Sequence, residues 1–200
     1  MKIQRIVLVA FFLAMTATSV ARPFSSSITG SPWCFGIKAG VLWSTVLPTT
    51  DDNITSVAGF VGGIFTEYAV NDWFAPSAEI LYSQQGAKMV GNNDLVVEGD
   101  YVSVPLLANF YVVEGLALKT GIQPSFLVSS KLSDPNEIVS MPGMLRKVDL
   151  VIPVGISYTC HFGLVIDARV NFSTITMLRE VSREDNGTAL SGALTLAWKF

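Results

Sequence analysis

Eight charged side chains carry most of the chemistry open to this sequence: Lys38, Lys119, Arg169 and Lys199 against Glu67, Glu79, Asp149 and Asp167. The signs balance. In a closed interior such a set makes a structural salt-bridge network, and in an open one it lines an ion path. Glu79 and Arg169 both fall near the middle of their segments and are expected to share one network. Catalysis reads poorly. The usual proton shuttle at neutral pH is histidine, and the one histidine, His161, stands beside Phe162 in a turn-like segment, as a polar turn residue would. The sequence has no metal-ligand spacing, phosphate loop or nucleophile elbow, so no catalytic, cofactor-binding or metal site is expected. A carboxylate-only site in the loops is the remaining route to turnover. Cys34 and Cys160 could bridge in an exported chain or remain buried thiols. Asn53-Ile54-Thr55 and Asn186-Gly187-Thr188 match glycosylation acceptors in pattern only.

Those charges need a scaffold that turns every second residue the same way. Apolar and polar residues alternate in the segments 33–43, 57–70, 73–85, 101–111, 116–129, 148–158, 164–172 and 189–200. In the last of these, Leu190, Gly192, Leu194, Leu196, Trp198 and Phe200 take the even positions, while Ser191, Ala193, Thr195, Ala197 and Lys199 take the odd ones. Successive side chains of a strand point to opposite faces, so each segment reads as a strand with one greasy face. All eight charges fall on the other face. The connections alternate between tight (Asn71-Asp72, 112–115 and 159–163) and long (44–56, 86–100, 130–147 and 173–188). That is the pattern of an all-β, eight-stranded antiparallel up-and-down transmembrane β-barrel. A soluble eight-stranded barrel would hide its apolar face and show more charge outside.

The composition agrees. Hydrophobic residues make up 50% of the chain and charged ones only 14%, with a mean hydropathy of +0.47. Yet no internal stretch reaches the roughly 18 uncharged residues of a membrane-spanning helix. A net charge of −3 without a basic block gives no footprint for nucleic acid. Trp33 and Trp43 lie about ten residues apart, roughly 25 Å of vertical rise for a tilted strand, which is the height of an apolar band between two aromatic girdles. Phe35, Tyr68, Phe74, Phe110, Tyr158, Trp198 and Phe200 would line one girdle, and Trp43, Phe60, Tyr82, Phe126 and Phe172 the other.

Residues 1–21 read as a signal peptide: Lys2 and Arg5, an apolar run, then Ser19-Val20-Ala21. Residues 22–32 read as a flexible leader and 33–200 as the barrel domain. This places the chain in the cell outer membrane as an integral multi-pass barrel, with both termini periplasmic and the long connections outside. Met141-Pro142-Gly143-Met144 and the mixed-charge run 179–185 lie in those loops, where binding usually resides. The expected surroundings are outer-membrane lipid and an unidentified extracellular ligand or envelope protein.

Several segments resemble the PorT-like outer-membrane β-barrel family common in Bacteroidetes. They are Gly36-Ile37-Lys38-Ala39-Gly40-Val41, Gly59-Phe60 with Gly62, Glu79-Ile80-Leu81-Tyr82-Ser83-Gln84-Gln85-Gly86-Ala87-Lys88, and Tyr101-Val102-Ser103-Val104-Pro105-Leu106-Leu107. The chain departs from the family at Leu42-Trp43, at Asn109 and after Arg169. The resemblance implies a membrane barrel, and through the named member of the family a link to protein secretion. Phe200 resembles the terminal aromatic read by the barrel-assembly machinery, an expected partner in biogenesis. The function expected is non-enzymatic: a barrel with a plugged polar interior, structural or surface-binding through its loops. The alternatives are a narrow porin for small solutes or a subunit of a secretion or envelope assembly.

Overall fold

A sheet with one greasy face and one polar face hides the polar side from lipid only by curling shut, which also removes its unpaired edges. The computed structural model, which describes residues 31–47, 54–89, 95–134, 137–140, 148–173 and 188–200, shows that closure. Its eight strands are β1 (Trp33–Leu47), β2 (Ile54–Tyr68), β3 (Phe74–Met89), β4 (Leu95–Ser103, then Leu106–Val113), β5 (Leu116–Asp134), β6 (Val148–Thr159), β7 (Leu164–Ser173) and β8 (Thr188–Lys199). Each pairs antiparallel with the next, and β8 pairs back onto β1 through registers such as Ile37↔Trp198 and Val41↔Leu194. A short strand, Glu137–Ser140, extends the outer end of β5.

The registers do not return to their starting row. Followed round the ring through Gly36↔Phe65, Phe65↔Glu79, Gln123↔Val151, Val151↔Ser173 and Ala189↔Val46, they come back to β1 about ten residues further on. Eight strands with that stagger must tilt by roughly 40°, and the lumen they enclose is just wide enough for side chains to fill.

Several boundaries differ from the sequence reading. β1 runs on to Leu47, β3 to Met89 and β5 to Asp134, while β2 starts at Ile54 and β4 at Leu95. Much of the connections expected over 44–56, 86–100 and 130–147 is therefore hairpin. The hydrogen-bonded ladder continues past the apolar band because pairing survives in water after the alternation has faded. β2 ends at Tyr68, not at residue 70. The fourth segment is broken at Val104-Pro105, where the proline has no N–H to give the ladder. Glu79 N still donates to Pro105 O, and Val104 N to Pro124 O, so the break stays narrow. The signal segment, residues 22–30, Asn53, Asn186, the 141–144 motif and the 179–185 run lie outside the described residues.

Outward, large apolar side chains form a continuous skirt, among them Ile37, Ile64, Ile80, Ile156 and Leu196, each more than half exposed. Aromatic rings gather at the end bearing the tight turns. Trp33 lies 4.8 Å from Tyr68, Phe74 5.3 Å from Phe110, and Trp198 6.1 Å from Phe162, centroid to centroid. Trp73 and Phe162, both in turns, join the rings expected there. Trp43, Phe60, Tyr82, Phe126 and Phe172 point outward at the far end.

Candidate functional site

The lumen is where the polar faces of the strands converge. Parity puts Lys38 of β1, Glu67 of β2, Glu79 of β3, Lys119 of β5, Asp149 of β6, Asp167 and Arg169 of β7 and Lys199 of β8 inside. All are buried except Lys119, whose side chain keeps 10% exposure. Room for them comes from their neighbours in register. Lys38 lies between Gly63 and Ala197, and Arg169 between Gly155 and Ala193. A Cβ on Gly155 would run into the Arg169 backbone and the Ala168 carbonyl, so this position holds glycine for lack of space.

Five of the eight meet in one cluster. The Arg169 guanidinium forks onto Glu79, with Nη1 to Oε2 and Nη2 to Oε1 both at 3.0 Å. It also donates Nε to Asp167 Oδ1 and Nη2 to Asp167 Oδ2, again at 3.0 Å. Paired, planar contacts of this kind are what arginine makes best with carboxylates. Lys38 Nζ bridges Glu79 Oε1 at 2.8 Å and Asp167 Oδ2 at 3.4 Å, and Lys119 Nζ reaches Asp167 Oδ2 at 2.8 Å. Side chains from β1, β3, β5 and β7 thus join across the barrel. Apolar layers sit on both sides: Leu42, Val61, Leu81 and Ala193 toward the long-loop end, and Phe65, Val165 and Ala197 toward the tight turns.

Two charges form a second cluster nearer the tight turns. Lys199 Nζ donates to Glu67 Oε1 at 2.8 Å, and Tyr111 OH donates to the same oxygen at 2.7 Å. Asn109 Nδ2 donates to Glu67 Oε2 at 3.1 Å and to Ser77 Oγ at 3.0 Å. Tyr111, Asn109 and Ser77 complete the shell of Glu67, and counting charges alone misses them. Their inward parity was the available signal. Asp149 stands apart toward the long-loop end, accepting from Ser173 Oγ at 2.8 and 2.9 Å. Hydrogen bonds to buried charges contribute about 1.5–3 kcal/mol. Tyr111→Phe is therefore expected to lower the urea stability of the refolded barrel by about that much, with outward-facing Tyr68→Phe near neutral.

The remaining candidates stay outside these clusters. Cys34 is buried at the tight-turn end and Cys160 is partly exposed; both are free thiols, with β7 and β8 between them in the ring. His161 lies in the exposed turn before β7, its Nε2 3.9 Å from Glu114 Oε1. Among the described residues no group of His, Cys, Asp and Glu could hold a metal ion. Chemically, the arrangement is a lock: each of the Glu67, Glu79 and Asp167 carboxylate oxygens already accepts a hydrogen bond, and none is left poised for proton transfer.

A family model described as outer membrane protein beta-barrel domain matches residues 21–178. No curated protein matches the sequence. Among solved structures, the chain is similar to Ail, the attachment invasion locus protein of Yersinia pestis, in complex with the heparin analogue sucrose octasulfate. The identity is 18% and the TM-score 0.50, over 84% of this chain and 99% of that one. It is also similar to neisserial surface protein A, at 16% identity and a TM-score of 0.51, over 85% of this chain and 98% of that one. At these identities the likeness is one of fold.

Proposed function

Since the chain belongs to the outer membrane protein beta-barrel domain family and is an integral outer-membrane barrel, we propose that it is a plugged, non-enzymatic barrel that acts as a structural or surface-binding protein. The observation that carries this reading is the ionic cluster joining β1, β3, β5 and β7 across the lumen. An ion crossing the barrel would have to part Arg169 from two carboxylates in a low-dielectric interior, and that costs several kcal/mol. Recognition then falls to the connections at the long-loop end, which the rigid barrel holds out. Both termini and the tight turns face the periplasm, where short turns belong in such barrels. Within the family, the 36–41 and 79–88 segments support a place among the PorT-like barrels of Bacteroidetes.

Planar-bilayer recording tests the reading, on protein first shown to be folded by its heat-dependent gel mobility. The expected record is silent. Discrete openings that change when Lys119 or Asp149 is neutralised would replace the plugged barrel with a narrow porin for small solutes.

A further inference from the structure

Facing residues in an antiparallel ladder can exchange two N–H···O bonds, and a proline leaves that exchange half made. Glu79 N donates to Pro105 O, but Pro105 has no N–H to return to Glu79 O. One seam further round, Val104 N donates to Pro124 O, and Pro124 returns nothing to Val104 O. The β5–β6 pairing stops at Thr120↔Val154 and resumes at Gln123↔Val151, with Pro153 in the gap. The other side of the ring is whole. Registers run without a gap from Gly36↔Lys199 to Leu47↔Thr188 between β1 and β8, and from Trp33↔Tyr68 to Ser44↔Val57 between β1 and β2. The β7–β8 and β6–β7 pairings are equally continuous.

Two of these losses fall on β4, one on each edge, at the peptide Val104-Pro105. Val102 faces Tyr82 of the far girdle, and Phe110 faces Phe74 of the near one. The peptide therefore lies within the apolar band, where a carbonyl that lacks a donor has no bulk water to turn to. Side chains do not make up the loss. The ionic lock joins β1, β3, β5 and β7 and passes behind β4, whose inward residues between Ser103 and Asn109 are Pro105 and Leu107, both buried. Below the break, Asn109 and Tyr111 tie β4 to Glu67; above it, Ser103 Oγ lies 2.8 Å from Ser125 Oγ. At Val104-Pro105 itself, one backbone hydrogen bond on each edge holds the strand. We propose that this peptide is a lateral seam at which the wall opens locally. There β4 parts from β3 and β5 and admits water past the Ser103–Ser125 pair to the Glu79 and Val104 carbonyls, while the lock keeps β3 and β5 in place. The opening runs sideways and leaves Arg169 on its carboxylates, so a barrel plugged along its axis still has one place where its wall yields.

Backbone amide exchange, read residue by residue by NMR on the folded full-length barrel in lipid nanodiscs, tests this. With two ladder bonds missing, the Glu79 and Val104 amides are expected to exchange about tenfold faster than those of Ala39 and Leu196, which face each other at the continuous β8–β1 seam. Pro105→Ala supplies one missing N–H. It is expected to slow Glu79 exchange about fivefold, the net worth of one hydrogen bond, and to leave Ala39 and Leu196 unchanged. Equal exchange at the two seams would mean that the barrel opens only as a whole, and would overturn the proposal. So would a Glu79 rate that Pro105→Ala does not alter. If that variant does not fold, the comparison of the two seams in the unmodified protein decides alone.

Discussion

A barrel in which Glu79 is replaced by Met is expected to lose about 3–5 kcal/mol of stability, the cost of breaking a buried ion pair from one side. Glu79 is 1% exposed and takes both forks of Arg169 together with Lys38. Without it those two cations keep only Asp167, which Lys119 already shares. Removing the opposite partner should cost less, because Lys38 and Lys119 then still balance Glu79 and Asp167. Arg169→Met is accordingly expected to be milder than Glu79→Met. The double variant should recover most of the loss, since a packed apolar pair avoids the desolvation that the ions suffer. Urea unfolding of protein refolded into lipid vesicles, followed by tryptophan fluorescence, gives all three numbers. Equal penalties for the two single variants, with simple addition in the double, would mean that the cluster does not act as a unit.

The second large effect belongs to the outer face. Ile64 sits midway between the two girdles and is 57% exposed to what surrounds the barrel. Ile64→Arg is expected to cost about 2–4 kcal/mol in a bilayer, because the guanidinium must reach several residues to either interface. Gln84→Arg, outward on β3 and beyond the Tyr82 ring, is expected to cost about 0–1 kcal/mol. Unfolding in vesicles of the same lipid separates the two. A similar cost at both sites would place the hydrocarbon band elsewhere on the barrel.

Parity makes much of this readable in the sequence. Odd residues of β8 and even residues of β1 turn inward, so Lys38 and Lys199 share the lumen although they lie on opposite faces of an even-odd count. Mid-strand position already puts Glu79 and Arg169, 90 residues apart, in one network. The other pairings are not readable, because they depend on the stagger accumulated round the ring, which no single strand encodes. Lys199 meets Glu67 for the same reason, two strands away across β1. The strand ends are missed where the alternation fades, as in the polar Gln84-Gln85-Gly86 of β3 and the apolar run Leu95-Val96-Val97 of β4, because alternation reports burial and not hydrogen bonding. The break at Pro105 is visible in the sequence as a proline inside an apolar run.

The pairing of β8 with β1 also orders events in time. Ile37 and Trp198 lie far apart along the chain, yet the ring cannot shut until they meet. Until they do, the sheet carries two bare edges, one on β1 and one on β8, each able to capture a neighbouring chain. Docking of β8 on β1 is thus the step that separates the closed barrel from forms that tangle with their neighbours.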